Sequence, residues 1–320
     1  MTLDIEGAAA LSLLSIAVTL VLVAIHLWTQ RMMAHQEEIE RTPEKRLERS
    51  PSSIMGKLAV LIYLIFSIVF VLGPLVALVY RSFQAPVSRS GDLAFSLRWY
   101  RQLFGLESVA GSALAIAGPA LLRSLAIAAV TTVTSLIMGT MLAARLRKHG
   151  ERGSSSMELY AMLPMAVSSV VVGLGYYLVS STLPGGNALA VTMVVLAHVV
   201  IASPFVLRSI VPEYRKIPFT YTQASLTLGA TVSQTFWHVE LPLLRPAMAT
   251  GAAFAFALSM GEINATLVLS DSSIVTVPVV MYRLIGSYNF AGACALGTIL
   301  ILCCAIVFAS TEMLRRRQDD

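Results

Sequence analysis

The 320-residue sequence predicts an all-α, polytopic membrane protein of about seven transmembrane helices, one lone helix followed by a six-helix unit. Three observations carry that prediction. The chain is 56% hydrophobic and only 13% charged, whereas a soluble domain is roughly 45–50% apolar and about 25% charged. So little charge cannot cover a surface in water, and the same balance excludes an intrinsically disordered chain. Mean hydropathy is +0.75. Seven windows also hold the roughly 20 mostly apolar residues needed to cross lipid. These apolar runs are continuous, where the strands of a β-barrel would alternate.

The windows are Ala8–Trp28, Leu58–Tyr80, Leu122–Ala144, Leu159–Val179, Ala188–Leu207, Leu244–Leu269 and Ala291–Met313. Charge orients them. Of the 23 Lys and Arg residues, 17 fall in Thr29–Lys57, Arg145–Glu158, Arg208–Arg245 and the tail at Arg315–Arg317, all on one side. The opposite short connections hold none in Ser180–Asn187 and only Arg283 in Ser270–Phe290. Basic residues accumulate in cytoplasmic loops, so the N-terminus is expected outside and the C-terminus in the cytoplasm. The net charge of +5 is thereby explained by topology, and nucleic acid is not expected as a partner.

The first window starts near Met1 without the positive n-region or small-residue cleavage site of a secretory signal. Residues 29–57 read as a charged cytoplasmic linker with Pro43 and Pro51. The chain thus divides into a lone helix (1–28), this linker, and a six-helix domain (58–315). The lone helix is either the last helix of a preceding repeat or a native extra helix. Cys294, Cys303 and Cys304 lie in one apolar stretch without CxxC or Cys/His ligand spacing. They read as small buried hydrophobes, and no metal site is expected.

The long connection Arg81–Pro119 contains Phe95-Ser96-Leu97-Arg98-Trp99-Tyr100-Arg101-Gln102-Leu103-Phe104. Interleaved aromatic and Arg residues favour the headgroup region, so an interfacial helix is expected, with contact to an external binding protein as the alternative.

Between the fifth and sixth windows lies residues 209–243, the longest cytoplasmic stretch within the six-helix unit. Pro212 and Pro218 are expected to break the chain before Phe219–Leu228, with Thr222 as N-cap. A short amphipathic helix would end at Gly229, a residue suited to the left-handed turn after a helix. A second helix, Thr231–Val239, would stop at Leu241-Pro242. Two short helices around a Gly bend form a protrusion suited to a partner's groove.

Gln223-Ala224-Ser225, three residues, Gly229, nine residues and Val239-Glu240-Leu241-Pro242 resemble the EAA loop of bacterial ABC importer permeases of the type I fold. That pattern is Glu-Ala-Ala, three residues, Gly, nine residues, Ile-x-Leu-Pro, and the spacing is met without a gap. Gln223 and Ser225 depart from it, so a charged contact at Gln223 is replaced by a polar one. The resemblance implies that Gln223, Ala224, Ser225, Gly229, Leu241 and Pro242 belong to the loop that docks on a pair of ATP-binding-cassette subunits. It further implies a second permease half, as homodimer, heterodimer or fused pair, and a periplasmic or extracellular solute-binding protein.

Other stretches resemble one branch of this family. Leu163-Pro164 with Val172-Gly173-Leu174-Gly175 is similar to permeases for ferric iron and thiamine. The run from Leu258 to Thr266, containing Gly261-Glu262, is similar to the iron, thiamine, sulfate and molybdate members. Thr276-Val277-Pro278, Tyr282, Ile285-Gly286-Ser287-Tyr288 and Ala291–Ala295 are similar to the end of the iron and thiamine members. Those members are often two fused halves, which would make the lone helix the end of a first half. Ferric iron or thiamine is therefore the favoured cargo, with sulfate, molybdate or polyamine as alternatives.

Ionisable groups within spans are costly, roughly 2.5–3.5 kcal/mol on insertion scales. Glu262, expected in mid-span beside Gly261 and two residues before Asn264, reads either as a pathway carboxylate or as a structural hydrogen-bonding group. Glu262, Asn264, Ser168 and Gly175 are the candidate translocation residues. The alternative for Ser168 and Gly175 is close helix packing. His198 has no sequence-near metal partner and reads as a packed histidine. Pro164, Pro204 and Pro246 are candidates for helix kinks.

The sequence has no G-x-x-x-x-G-K-[ST], HExxH, GxSxG or Gly-rich dinucleotide motif. No catalytic residue and no cofactor are expected in this chain, ATP being bound by the partner subunit. A transporter driven by an ion gradient is the competing class. It calls for intramembrane acid and base pairs, of which only Glu262 offers a member.

Overall fold

The computed structural model describes residues 54–86, 93–106, 116–148, 161–269 and 274–319, with Leu14, Ala17, Val18 and Val21 from the first window. Most of the lone helix, the linker up to residue 53 and the stretch 149–160 with Arg152 lie outside the described residues. Among the described residues, four helices are long and apolar enough to cross a membrane, and a bent pair of helices makes up to five. The chain is an all-α polytopic membrane protein.

Helix α1 (Ile54–Ser82) covers the second window, with Pro74 inside it. Its apolar core has a hydropathy of 2.7 and none of it is buried within the chain. Such a surface is stable only against lipid or another protein. A two-stranded antiparallel ribbon follows, β1 (Gln84–Pro86) and β2 (Leu93–Phe95), with Ala85 opposite Ala94. This ribbon was not expected from the sequence. The interfacial helix expected nearby shrinks to α2 (Arg98–Leu103). The aromatic residues fold back onto the ribbon instead. Phe83 stacks on Phe95 at 5.0 Å, and the Trp99 indole N–H donates to the Gln84 carbonyl at 2.7 Å.

Helix α3 (Ala117–Lys148) carries the third window. A stripe of small residues, Ser124, Ala128, Thr131, Ser135, Gly139 and Ala143, is buried along one face. Small side chains let two membrane helices approach closely. Here the neighbour is so close that a Cβ added at Gly139 would lie 2.7 Å from Val206 Cγ1.

The fourth window is not one continuous span. Leu163–Ala166 forms a 3-10 turn with Pro164 at its start. Val167 and Ser168 are extended, with ψ of 134° and 139°. A 14-residue helix, α4 (Ser169–Thr182), then begins.

The fifth window runs on as α5 (Gly186–Lys216), 31 residues, with Pro204 and Pro212 inside it. The expected break at Pro212 does not occur. Each proline removes a single backbone bond, and Pro212 and Arg208, whose carbonyl loses its partner, are both exposed. Interior α5 positions from Ala202 to Tyr214 pack on Ala143, Leu146, Leu244 and Ala247, forming a core beneath the protruding loop.

The sixth window also divides. Helix α9 (Arg245–Gly261) stops at Glu262, which is extended with ψ of 118°, and a short helix α10 (Asn264–Leu269) follows. Glu262 therefore stands at a helix break and not in mid-helix as expected. The short amphipathic helix α11 (Val277–Gly286), within what the hydropathy windows treated as a connection, buries Val277, Val279, Val280 and Leu284. The chain ends in α12 (Phe290–Asp319), which contains the seventh window. Cys294, Cys303 and Cys304 are free thiols, partly buried on this helix.

Candidate functional site

The 209–243 segment leaves α5 at Lys216 and returns into α9. Its first helix is α6 (Phe219–Thr227), capped by Pro218. Thr222 is not the expected N-cap, because the proline at 218 already fixes the turn one residue before the helix. Gly229 has φ of +90°, a conformation costly for any residue with a Cβ, and its N–H bonds to the Leu226 carbonyl at 3.0 Å. The glycine bend expected from the sequence is thus present.

Beyond it, α7 (Val232–Thr235) opens with a capping box. The Thr231 side chain accepts from the Gln234 N–H while the Gln234 side chain accepts from the Thr231 N–H, satisfying two donors that every helix start exposes. The chain continues as a π-helical turn at Phe236–Glu240 and as α8 (Leu241–Leu243). The expected stop at Leu241-Pro242 does not occur. Pro242 lies inside a continuous helical run, directly after the wider π-helical turn. The direction changes instead by 71° between Val232–Leu243 and α9.

One carboxylate ties this protrusion to the bundle. Glu240 Oε1 accepts from Arg147 Nη1 at 3.2 Å and from Thr222 Oγ1 at 2.9 Å. Glu240 Oε2 accepts from the Tyr214 hydroxyl. Arg147, near the end of α3, also donates to the Ile217 carbonyl at 3.0 Å. Its guanidinium lies 4.8 Å from the Tyr214 ring centre and 5.4 Å from that of Phe219. The Arg147 and Glu240 side chains are only 10% and 12% exposed. Ser225 and Thr235 hydroxyls, 3.0 Å apart, close the two short helices on each other. Three elements, α3, α5 and the protrusion, are therefore held at one point.

Around that anchor, Gln223, Ala224 and Gly229 face outward and are exposed, as are Tyr221 and Leu228, the latter at 88%. Ser225 is half-buried against Thr235, and Leu241 and Pro242 are half-buried on the return path. Sequence reasoning missed Glu240, Arg147 and Tyr214. Glu240 occupies the unspecified position of the Val-Glu-Leu-Pro run, and Arg147 was counted only as one of many basic residues. The available signal was a carboxylate within an otherwise apolar turn, which demands a partner.

Three of the candidate pathway residues, Ser168, Glu262 and Asn264, stand at the two helix breaks, and Gly175 lies further along α4. Asn264 Nδ2 donates to Ser169 Oγ at 3.2 Å, joining the start of α10 to the start of α4. A Cβ added at Gly173 would lie 2.8 Å from the Ala265 Cα, so these half-helices touch backbone to backbone. The Glu262 carboxylate accepts from the Ala265 N–H at 2.9 Å, which caps the first turn of α10. Ser168, just before α4, and Gly175, within it, are exposed, and nothing lies within 4 Å of a Cβ at Gly175. His198, buried at 2% exposure, reaches the same break from α5. Its Nδ1 lies 2.8 Å from Ser259 Oγ and its Nε2 2.9 Å from Thr266 Oγ1.

This architecture, a helical membrane bundle with broken spans and an anchored protruding loop, is that of a transport permease. The family model of the binding-protein-dependent transport system inner membrane component matches residues 135–320, and the chain belongs to that family. The chain is 30% identical over 198 residues to PhnV of Salmonella typhimurium, provisionally assigned as a 2-aminoethylphosphonate transport system permease, covering 62% of this chain and 75% of that one. It is 29% identical over 245 residues to the sulfate transport system permease CysT of Synechococcus elongatus, covering 72% and 81%. It is 26% identical over 229 residues to the putrescine transport system permease PotI of Escherichia coli, covering 69% and 78%. In fold it resembles a bacterial ABC transporter involved in alginate import, with a TM-score of 0.65 at 14% identity over 82% of this chain and 95% of that one. The protein is thus an ABC transporter permease subunit of the inner membrane.

Proposed function

We propose that this chain is the membrane-spanning half of an ATP-driven importer for a small solute delivered by an external binding protein. The observation that carries the reading is the exposed 219–243 protrusion, pinned to the bundle through Glu240. On this reading the basic end of the bundle faces the cytoplasm, and the protrusion seats in a separate ATPase through Gln223, Ala224 and Gly229. ATP is bound and hydrolysed by that partner. Closure of an ATPase pair would draw two such protrusions together and move α3 and α5 through the Arg147–Glu240–Tyr214 anchor. A second permease half completes the pathway, which runs past Ser168, Gly175, Glu262 and Asn264.

The cargo is a small charged solute. The motif similarity supports ferric iron or thiamine, while relatives of comparable coverage are named for 2-aminoethylphosphonate, sulfate and putrescine. The test is reconstitution in proteoliposomes with the cognate ATPase and binding protein, presenting that panel of solutes. Uptake that requires ATP and the binding protein supports the reading. Gradient-driven uptake without any ATPase overturns it.

A further inference from the structure

We infer that His198 is a positioning residue that staples the Glu262 helix break through a one-directional hydrogen-bond relay, and so sets where the Glu262 carboxylate stands during transport. The inference rests on the importer reading above.

We assign the relay's direction from Thr266. Its hydroxyl lies 3.4 Å from the Glu262 carbonyl, at the long end for an O–H···O bond. With its single proton directed there, Thr266 Oγ1 accepts from His198 Nε2, 2.9 Å away. In this assignment the imidazole proton sits on Nε2. Nδ1 is left as an acceptor for the Ser259 hydroxyl at 2.8 Å. The chain of protons runs Ser259 to His198 to Thr266 to the Glu262 backbone, and it needs a neutral ring carrying its proton on one nitrogen.

The placement gives the relay its consequence. Ser259 lies in the last turn of α9, Thr266 in α10, and Glu262 between them. A bridge from α5 thus holds both sides of the gap. Removing the bridge frees the register of α10 against α9, and with it the carboxylate that caps α10 at Ala265. The ring is enclosed, His198 being buried within the bundle, so water cannot replace the lost partners. Helix α5 also carries Tyr214, 16 residues further on, about 24 Å along the axis. The same rod therefore ends on the Glu240 anchor, and a displacement at the protrusion reaches the break through His198.

The experiment uses the full chain assembled with its ATPase, second half and binding protein. His198→Leu should lower solute uptake about tenfold or more at saturating solute while ATP hydrolysis continues. His198→Gln, whose amide supplies one donor and one acceptor, should restore most of it. Nitrogen NMR of the labelled imidazole should show the Nε2–H form in the wild type, and Thr266→Val should convert it to a mixture. Wild-type uptake by His198→Leu, or an Nδ1–H or doubly protonated ring, overturns the inference. If His198→Leu does not assemble, Ser259→Ala and Thr266→Val decide the matter, and uncoupled ATP hydrolysis in neither rejects it. A wild-type complex that imports nothing with ATP defeats the importer reading instead, while the imidazole spectrum still reports on the relay.

Discussion

Cutting the Arg147–Glu240 pair from either side should loosen the whole 219–243 protrusion. Glu240 receives three hydrogen bonds, from Arg147, Thr222 and Tyr214, and about a tenth of each charged side chain is exposed. Removing one member of a buried pair costs about 3–5 kcal/mol, because the other charge is stranded. The pair sits at the end of the bundle, so the lower value, about 3 kcal/mol, applies. At about 1.4 kcal/mol per tenfold change, the detached form of the loop becomes roughly 100-fold more populated. Hydrogen exchange of amides 219–243 reads that population directly, with the amides of α5 between residues 194 and 206 as the internal reference. Arg147→Ala and Glu240→Ala should each accelerate exchange in the loop and leave the reference unchanged. The double variant strands no charge and should cost less than the two single effects combined. Wild-type exchange in either single variant, or simple additivity in the double, would refute the anchoring role.

Three further outcomes are expected. Gly229→Ala should lower stability by about 1–2 kcal/mol, because φ of +90° is forbidden to a side chain although space is free; an unchanged thermal midpoint would mean that the bend relaxes. Gly173→Ala drives a methyl to 2.8 Å from backbone that cannot turn away and should cost about 1–3 kcal/mol, read as a lower thermal midpoint of the detergent-solubilised protein. Glu262→Ala should abolish uptake while the complex still assembles with its ATPase, since the lost cap at Ala265 costs only about 1 kcal/mol. Uptake at the wild-type rate would remove Glu262 from the pathway.

The continuous helices α1, α3, α5 and α12 were legible because a hydropathy window measures the one property they share, long apolar runs. The Gly229 bend was legible because only one residue type tolerates that backbone. What the sequence concealed was every place where the chain departs from a helix inside an apolar run. Val167, Ser168 and Ile263 are as acceptable to a hydropathy window as any helical residue, so the fourth and sixth windows were read as whole. Pro212 misled in the opposite sense, as a breaker within a helix whose lost bond lies at an exposed turn. Glu240 was hidden because its partners come from 93 and 26 residues away in sequence, beyond any local pattern.

The two concealed breaks explain each other. Backbone groups without helical partners survive at membrane depth only where protein or water covers them. The non-helical residues at 167–168 and 262–263 meet this condition together, since α4 and α10 start side by side, joined by Asn264 to Ser169 and in contact at Gly173 and Ala265. His198 covers the break at Glu262 from behind through Ser259 and Thr266. On the uncovered side stand Ser168 and Gly175, exposed, with Asn264 exposed and Glu262 half-buried. Lipid cannot satisfy that surface, because a carboxylate and a carboxamide there would each lose their hydration. A polar pathway or the second permease half would satisfy it, and this supports the proposed route past these four residues.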